Sequence, residues 1–375
     1  MQDPRIDLLA KQVIEFSVSL KKGEKVLIDV WDDAVDFATA LVKAAQNVGG
    51  LPFVNLQSQT VQRAWIMNGT RETFEAWYGY EANRMSDMDA YIVVRKQDNN
   101  SELSDVPAAQ LNLYNEYSGK LHYGIRLPKT KWCVLRYPSA SMAQAAGMST
   151  EAFEDFYFKC CCLDYRRLNE LLKPLAVRMH NADRVRIVGP DTDLSFSIKG
   201  CRHDYGSCGI WNIPCGECGM PIVQGTANGT IRYNMPSMFQ GTVFHDIRLT
   251  LKDGRIIEAT SDHTELMNKI LDVDHNARQI GEFAMGLNPF VTRPILDTLF
   301  DEKMCMSLHF TPGNSRNNPS SIHWDIVTSQ AKEYGGGEIW VDGELIRKDG
   351  LFVPEDLQPL NPDPLQAEVK PIFVD

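Results

Sequence analysis

The chain has 375 residues, 43% hydrophobic and 23% charged, which excludes a disordered or fibrous protein and is long enough for two cores. A net charge of -11 argues against nucleic acid as a general partner, because a phosphate backbone needs clustered Lys and Arg. No apolar run reaches membrane-spanning length, no charged-then-apolar leader opens the sequence, and an odd count of nine cysteines fits reduced thiols, so a cytoplasmic protein with no membrane partner is expected.

In chain order, apolar positions from Ile6 to Leu20 recur at helical spacing and Lys21-Lys22-Gly23 closes that helix. Lys25–Val30 reads as a buried strand, Asp32–Val48 as an amphipathic helix ending at Gly49-Gly50, and Pro52–Leu56 as the next strand. That is one βαβ unit and implies a parallel sheet. The loop after the first strand carries Asp32, Asp33 and Asp36 and no glycine, so it would repel a nucleotide phosphate. Asp89–Arg95 and Trp132–Arg136 are further strands; the basic stretch from Lys129 belongs to the latter. Thr150–Leu172 is expected as one long helix, opened by Ser149 and ended by Pro174.

Beyond residue 183 the pattern changes to short strands and turns: Arg184–Val188, Leu194–Ile198, Gly229–Tyr233, Asp246–Leu251, Ile256-Ile257 and Glu338–Asp342, with a hairpin at Asp253-Gly254 and one helix over 264–278. The tail beyond Val353 reads as Pro-rich and extended. The expected architecture is an N-terminal α/β domain with a parallel sheet over 1–183. A mixed, mostly antiparallel β-rich domain over 184–375 follows.

The sharpest chemical signal lies in Ser320–Val327. Ile322, Trp324 and Ile326 alternate with His323 and Asp325, so a strand here places an imidazole and a carboxylate on one face, within reach of one cation or a pair. A solvated surface pair is the competing explanation. His309 ends an apolar strand-like run, which suits a ligand or a satisfied core histidine. Glu282 stands among small and apolar residues, where a buried carboxylate needs a partner or metal; a helix-end Glu is the alternative. Glu217 follows a tight turn and is weak by itself. The Cys215/Cys218 pair, with Cys201 and Cys208 upstream, lacks the spacing of paired zinc knuckles and reads as packing thiols. Arg293 and Lys303 can each bind a carboxylate, with nothing to select them.

Taken together, Asn212-Ile-Pro-Cys-Gly-Glu217, Gly229-Thr-Ile, Gly281-Glu282 with Gly286-Leu-Asn288, His309 and Ser321-Ile-His323-Trp-Asp325 resemble the aminopeptidase T and aminopeptidase S (PepS) family of two-metal metallo-aminopeptidases. Trp132–Pro138, Met142–Asp155 and Val185–Pro190 carry the likeness through the N-terminal half. The resemblance implies a hydrolase that removes the N-terminal residue of short peptides, a homodimer, and two divalent ions (Zn, Co, Mn or Mg). It implies that Glu217, Glu282, His309, His323 and Asp325 are the metal ligands, with Glu217 or Glu282 bridging or shuttling a proton. One departure is Arg316, where the family has a Tyr near the metals. That leaves a non-catalytic member as an alternative. The distantly similar dihydroxypyridine ring-cleaving dioxygenases, which use one iron held by two His and a carboxylate, have His where Glu282 stands; Glu at that position favours the peptidase.

Overall fold

The computed structural model describes residues 3–201 and 208–373. The chain divides into two compact units. The first comprises Met1–Cys162, Gly209–Ile213 and Ile372–Asp375; the second comprises Leu163–Cys208 and Pro214–Pro371. The sequence expectation drew the division at 183 and 184, whereas the helix Tyr165–Asn181 lies within the second unit.

In the first unit, β1 (Lys25–Trp31), β2 (Leu51–Gln57), β3 (Ala90–Arg95) and β4 (Lys131–Arg136) form a parallel sheet in the order β2-β1-β3-β4, extended by the short strand Asn212–Ile213. β1 and β3 are near-continuous apolar runs because helices cover both faces of a parallel sheet. The edge strand β2 differs: Leu51, Phe53, Val54 and Leu56 are each more than 40% exposed.

Three expected helices change. Residues 6–20 split into Pro4–Gln12 and a widened π-type turn, Val13–Ser17. The stretch from Thr150 is two helices, Thr150–Cys161 and Tyr165–Asn181, because the Asp164 side chain accepts the Arg167 N–H and caps a second start. Pro174 sits inside that second helix instead of ending the first. The helix expected over 264–278 stops at Leu271.

The second unit holds an eight-stranded antiparallel sheet in the order Arg255–Thr260, Arg248–Lys252, Asn228–Arg232, Thr192–Ser197, Arg184–Gly189, Glu338–Val341, Glu344–Lys348 and Leu351–Phe352. The Asp253-Gly254 hairpin has positive φ at both residues (49° and 78°), the conformation a tight primed turn requires. The tail is helical where extension was expected: Glu355–Leu360 and Pro362–Glu368 bury Leu357, Leu360 and Leu365, with Pro362 in the first helical turn.

A second antiparallel sheet in the same unit carries the chemistry. It consists of β5 (Glu217–Pro221), β6 (Ile280–Gly286), β7 (Ser307–Ser315) and β8 (Asn318–His323) in sequence order across the sheet, with β9 (Val327–Ser329) also paired to β7. Among the described residues, no helix is long and apolar enough to cross a membrane.

Candidate metal centre

Strand register brings the five sequence-derived residues together. Glu217 begins β5 opposite Gly286, and Glu282 on β6 lies opposite Thr311 on β7. His309 is two residues before Thr311 and therefore on the same face. His323 ends β8 opposite Gly313, and Asp325 follows in the link to β9. Two glycines make room. A side chain at Gly219 would come within 2.8 Å of Glu282 Oε1. Gly216 has φ +136°, and a Cβ there would lie 2.8 Å from the Asn288 backbone. Fully buried Asn288 closes that turn by donating from Nδ2 to the Cys215 carbonyl at 2.8 Å.

One donor atom from each of Glu282, His309 and Asp325 lies within 4.8 Å of the others. His309 Nδ1 is 3.2 Å from the Glu302 carbonyl; donation there leaves Nε2 with its lone pair toward the cluster, 3.7 Å from Glu217 Oε2. His323 Nδ1 is 2.8 Å from the Asn314 carbonyl, and Nε2 is 3.1 Å from Asp325 Oδ1 and 4.0 Å from Glu282 Oε2. Thr311 Oγ1 donates to Asp325 Oδ1 at 2.7 Å. Glu217 Oε2 is buried and has no hydrogen-bond partner. A buried carboxylate oxygen left bare beside an imidazole lone pair is what a bound cation satisfies. The donor set therefore fits a divalent metal.

Burial pushes the Glu282 carboxyl up, with Glu217 adding to it against the pull of His309 and His323. Burial alone would raise Asp325 and lower His323, but their mutual attraction overrides it: Asp325 is held well below the usual carboxylate range and His323 well above the usual imidazole range. His323 remains 41% exposed and forms the solvent side of the group.

Two neighbours were not selected from sequence. Lys303, 1% exposed, donates from Nζ to Glu217 Oε1 at 2.6 Å and also to Glu302. Its ammonium is held charged against burial by those two carboxylates. Burial pushes Glu302 up, and its carboxyl shares a hydrogen bond with Asp325. The signal was present: Asp301, Glu302 and Lys303 are three consecutive charged residues inside an apolar run, and all three are buried. Asp301 has a local role, accepting the Ile295 N–H at 2.7 Å.

Arg316 lies in the exposed turn between β7 and β8. All nine cysteines are buried and outside any disulfide, and burial pushes Cys218 up, away from thiolate chemistry.

A family model described as thermophilic metalloprotease (M29) matches residues 2–352. The β-rich unit and its partly buried carboxylate–imidazole cluster are thus part of a metal-dependent protease, a hydrolase. The chain belongs to the M29 thermophilic metalloprotease family. It is 22% identical to aminopeptidase AmpS of Bacillus subtilis, over 92% of this chain and 89% of that protein. It is 23% identical to aminopeptidase T of Thermus thermophilus, over 93% and 96%. Wild-type AmpT from Thermus thermophilus has a similar fold, with TM-score 0.79 and 21% identity over 94% of this chain and 99% of that one. The 2,5-dihydroxypyridine dioxygenase from Pseudomonas putida KT2440 is more distant, with TM-score 0.58 and 12% identity over 95% and 99%, a likeness of fold alone.

Proposed function

We propose that this chain is a metallo-aminopeptidase that hydrolyses the N-terminal peptide bond of short peptides, and that Glu282, His309 and Asp325, with His323 at the solvent side, hold a divalent cation. The observation that carries this reading is the convergence of Glu282, His309 and Asp325 in one partly buried volume, with His323 at its edge and the unpartnered Glu217 Oε2 beside it. Imidazole and carboxylate donors suit zinc, cobalt or manganese. When bound, such a cation supplies Lewis acidity, polarising a carbonyl and making a water easier to deprotonate.

The chain's own residues divide the remaining work. The Glu302 carbonyl fixes the His309 ring, so that Nε2 keeps its lone pair. Thr311 and His323 orient Asp325 through its Oδ1. Two carboxylates are placed to take a proton from the attacking water. Glu217 is better placed than Glu282: Lys303 pins its Oε1, and its Oε2 has nothing else to bind. A cytoplasmic homodimer completes the proposal. The apolar exposed edge β2 supports association, because such an edge is a ready pairing surface. Nine cysteines outside any disulfide suit a reducing compartment.

The test is purified protein, stripped and reloaded with cobalt or zinc, assayed on aminoacyl-arylamides alongside Glu282→Ala. The variant should lose its metal, and several kcal/mol of Lewis-acid stabilisation corresponds to a loss on the order of 10³-fold in turnover. Unchanged metal content and activity in Glu282→Ala would remove the proposed ligand role.

A further inference from the structure

We propose that this chain carries one divalent cation and that the Lys303 ammonium stands as the second positive centre of the site. This rests on the metal-centre reading above and departs from the two ions that the family resemblance implies. Once Glu282, His309 and Asp325 are given to one cation, the carboxylates beside them that could hold another are half-buried Glu217 and buried Glu302. Those two are already bridged. Lys303 Nζ bonds Glu217 Oε1 at 2.6 Å and reaches Glu302 from the other side.

The ammonium has nowhere else to go. The Lys303 side chain is 1% exposed. Its backbone is fixed at both ends, the N–H donating to the Phe300 carbonyl at 2.9 Å and the carbonyl accepting from Asn288 N at 2.9 Å. A divalent ion entering between Glu217 and Glu302 would have to displace a buried charge that cannot reach water, and would then sit beside it. The two halves of the site thus take different cations. The half with His309, Glu282 and Asp325 has a free imidazole lone pair to offer a metal; the half with two carboxylates already holds its cation in the Lys303 ammonium. The lysine also holds Glu217 by one oxygen, leaving the bare Oε2 directed at His309. Lys303 is in this respect a positioning residue.

Metal content and spin state test this without relying on turnover. The full chain is stripped with chelator, reloaded with manganese, freed of excess ion, and examined by elemental analysis and by electron paramagnetic resonance. The wild type should hold about one equivalent and give the spectrum of an isolated manganese ion, while Lys303→Met, close in shape but uncharged, should rise to about two and show a coupled pair. Lys303→Arg, which keeps the charge, should stay at about one. Two equivalents or a coupled pair in the wild type would overturn the inference and leave the metallo-aminopeptidase reading intact. So would a folded Lys303→Met that still holds one. A wild type that holds none removes the metal-centre reading itself, and this inference with it. Should Lys303→Met fail to fold, the wild-type count and its spectrum decide between one ion and two.

Discussion

The two units each gather carboxylates, and to opposite effect. In the first, a cleft is lined by Asp3, Asp33, Asp36 and Glu154 together with Lys96 and Tyr137. Asp33 is 84% exposed there, while Asp36 accepts a 2.7 Å hydrogen bond from the Tyr137 hydroxyl. In the second, half-buried Glu282 on β6 and the buried Glu302 and Asp325 gather with two imidazoles, a lysine and the bare Glu217 oxygen. Solvated carboxylates have water as a partner and need nothing more. Buried ones must find counter-charge, and where the protein leaves an atom without it, a ligand is called for. The number of acidic residues therefore says little about where a cation binds; their access to water says much more.

The largest test of that contrast pairs Glu217→Gln with Asp33→Asn. Glu217→Gln keeps the shape and the hydrogen-bonding capacity toward Lys303 but removes the base. Turnover should fall by roughly 10² to 10⁴-fold, the usual weight of a positioned proton acceptor, with metal still bound. Asp33→Asn, on an exposed carboxylate, should change neither turnover nor metal content. Steady-state kinetics and elemental analysis on both variants read this out. Equal losses from the two would erase the distinction between the clusters.

A smaller effect should come from one shell further out. Thr311 is fully buried and gives its hydroxyl proton to Asp325. Thr311→Val removes that bond without changing the side chain's shape. Metal affinity should drop by roughly 10 to 100-fold, as measured by competition with a chromophoric chelator. An unchanged affinity would show that the strand alone orients Asp325.

Much of this was legible in the sequence because the relevant signals are local. β1 and β3 announce themselves as apolar runs bounded by turns, and Asp253-Gly254 dictates its own turn geometry. His323 and Asp325 read as a same-side pair from alternation, which holds although β8 ends at His323 and the link to β9 carries Asp325. Glu217, Glu282 and His309 are a different matter. Their local signals are weak and each has an ordinary structural explanation; family likeness singles them out, and long-range register joins them. Lys303 reads as able to bind a carboxylate but is not selected, because its partner Glu217 is 86 residues away and no spacing rule connects them; Glu302, bonded to that lysine, goes unmarked with it. The second start at Asp164 was readable as a cap, yet the longer helical period around it masked the break.

The smallest expected effect concerns how β8 is held in place. Asp274 accepts hydrogen bonds from both the Ser320 and Ser321 hydroxyls, at 3.0 and 2.6 Å, and from the Ser321 backbone N–H at 2.8 Å, so it anchors the strand that delivers His323. Burial alone would raise this carboxyl, but the bonds from Ser321 and Ser320 and the Asn276 backbone bring it down to about 2. A carboxyl depressed in the folded state stabilises it above the unfolded pKa, near 4, and loses that contribution as pH falls from about 4 to 2. Asp274→Asn should accordingly cost about 1–2 kcal/mol at neutral pH, the weight of hydrogen bonds to a charged acceptor after partial screening. The gap between wild type and variant should close as the pH drops through that window. Thermal melts of both proteins from pH 7 to pH 2 measure it. A gap that stays constant with pH would mean that the Asp274 charge contributes nothing and that the Ser320–His323 strand is held by its backbone pairing to β7 alone, as an ordinary edge of the sheet would be.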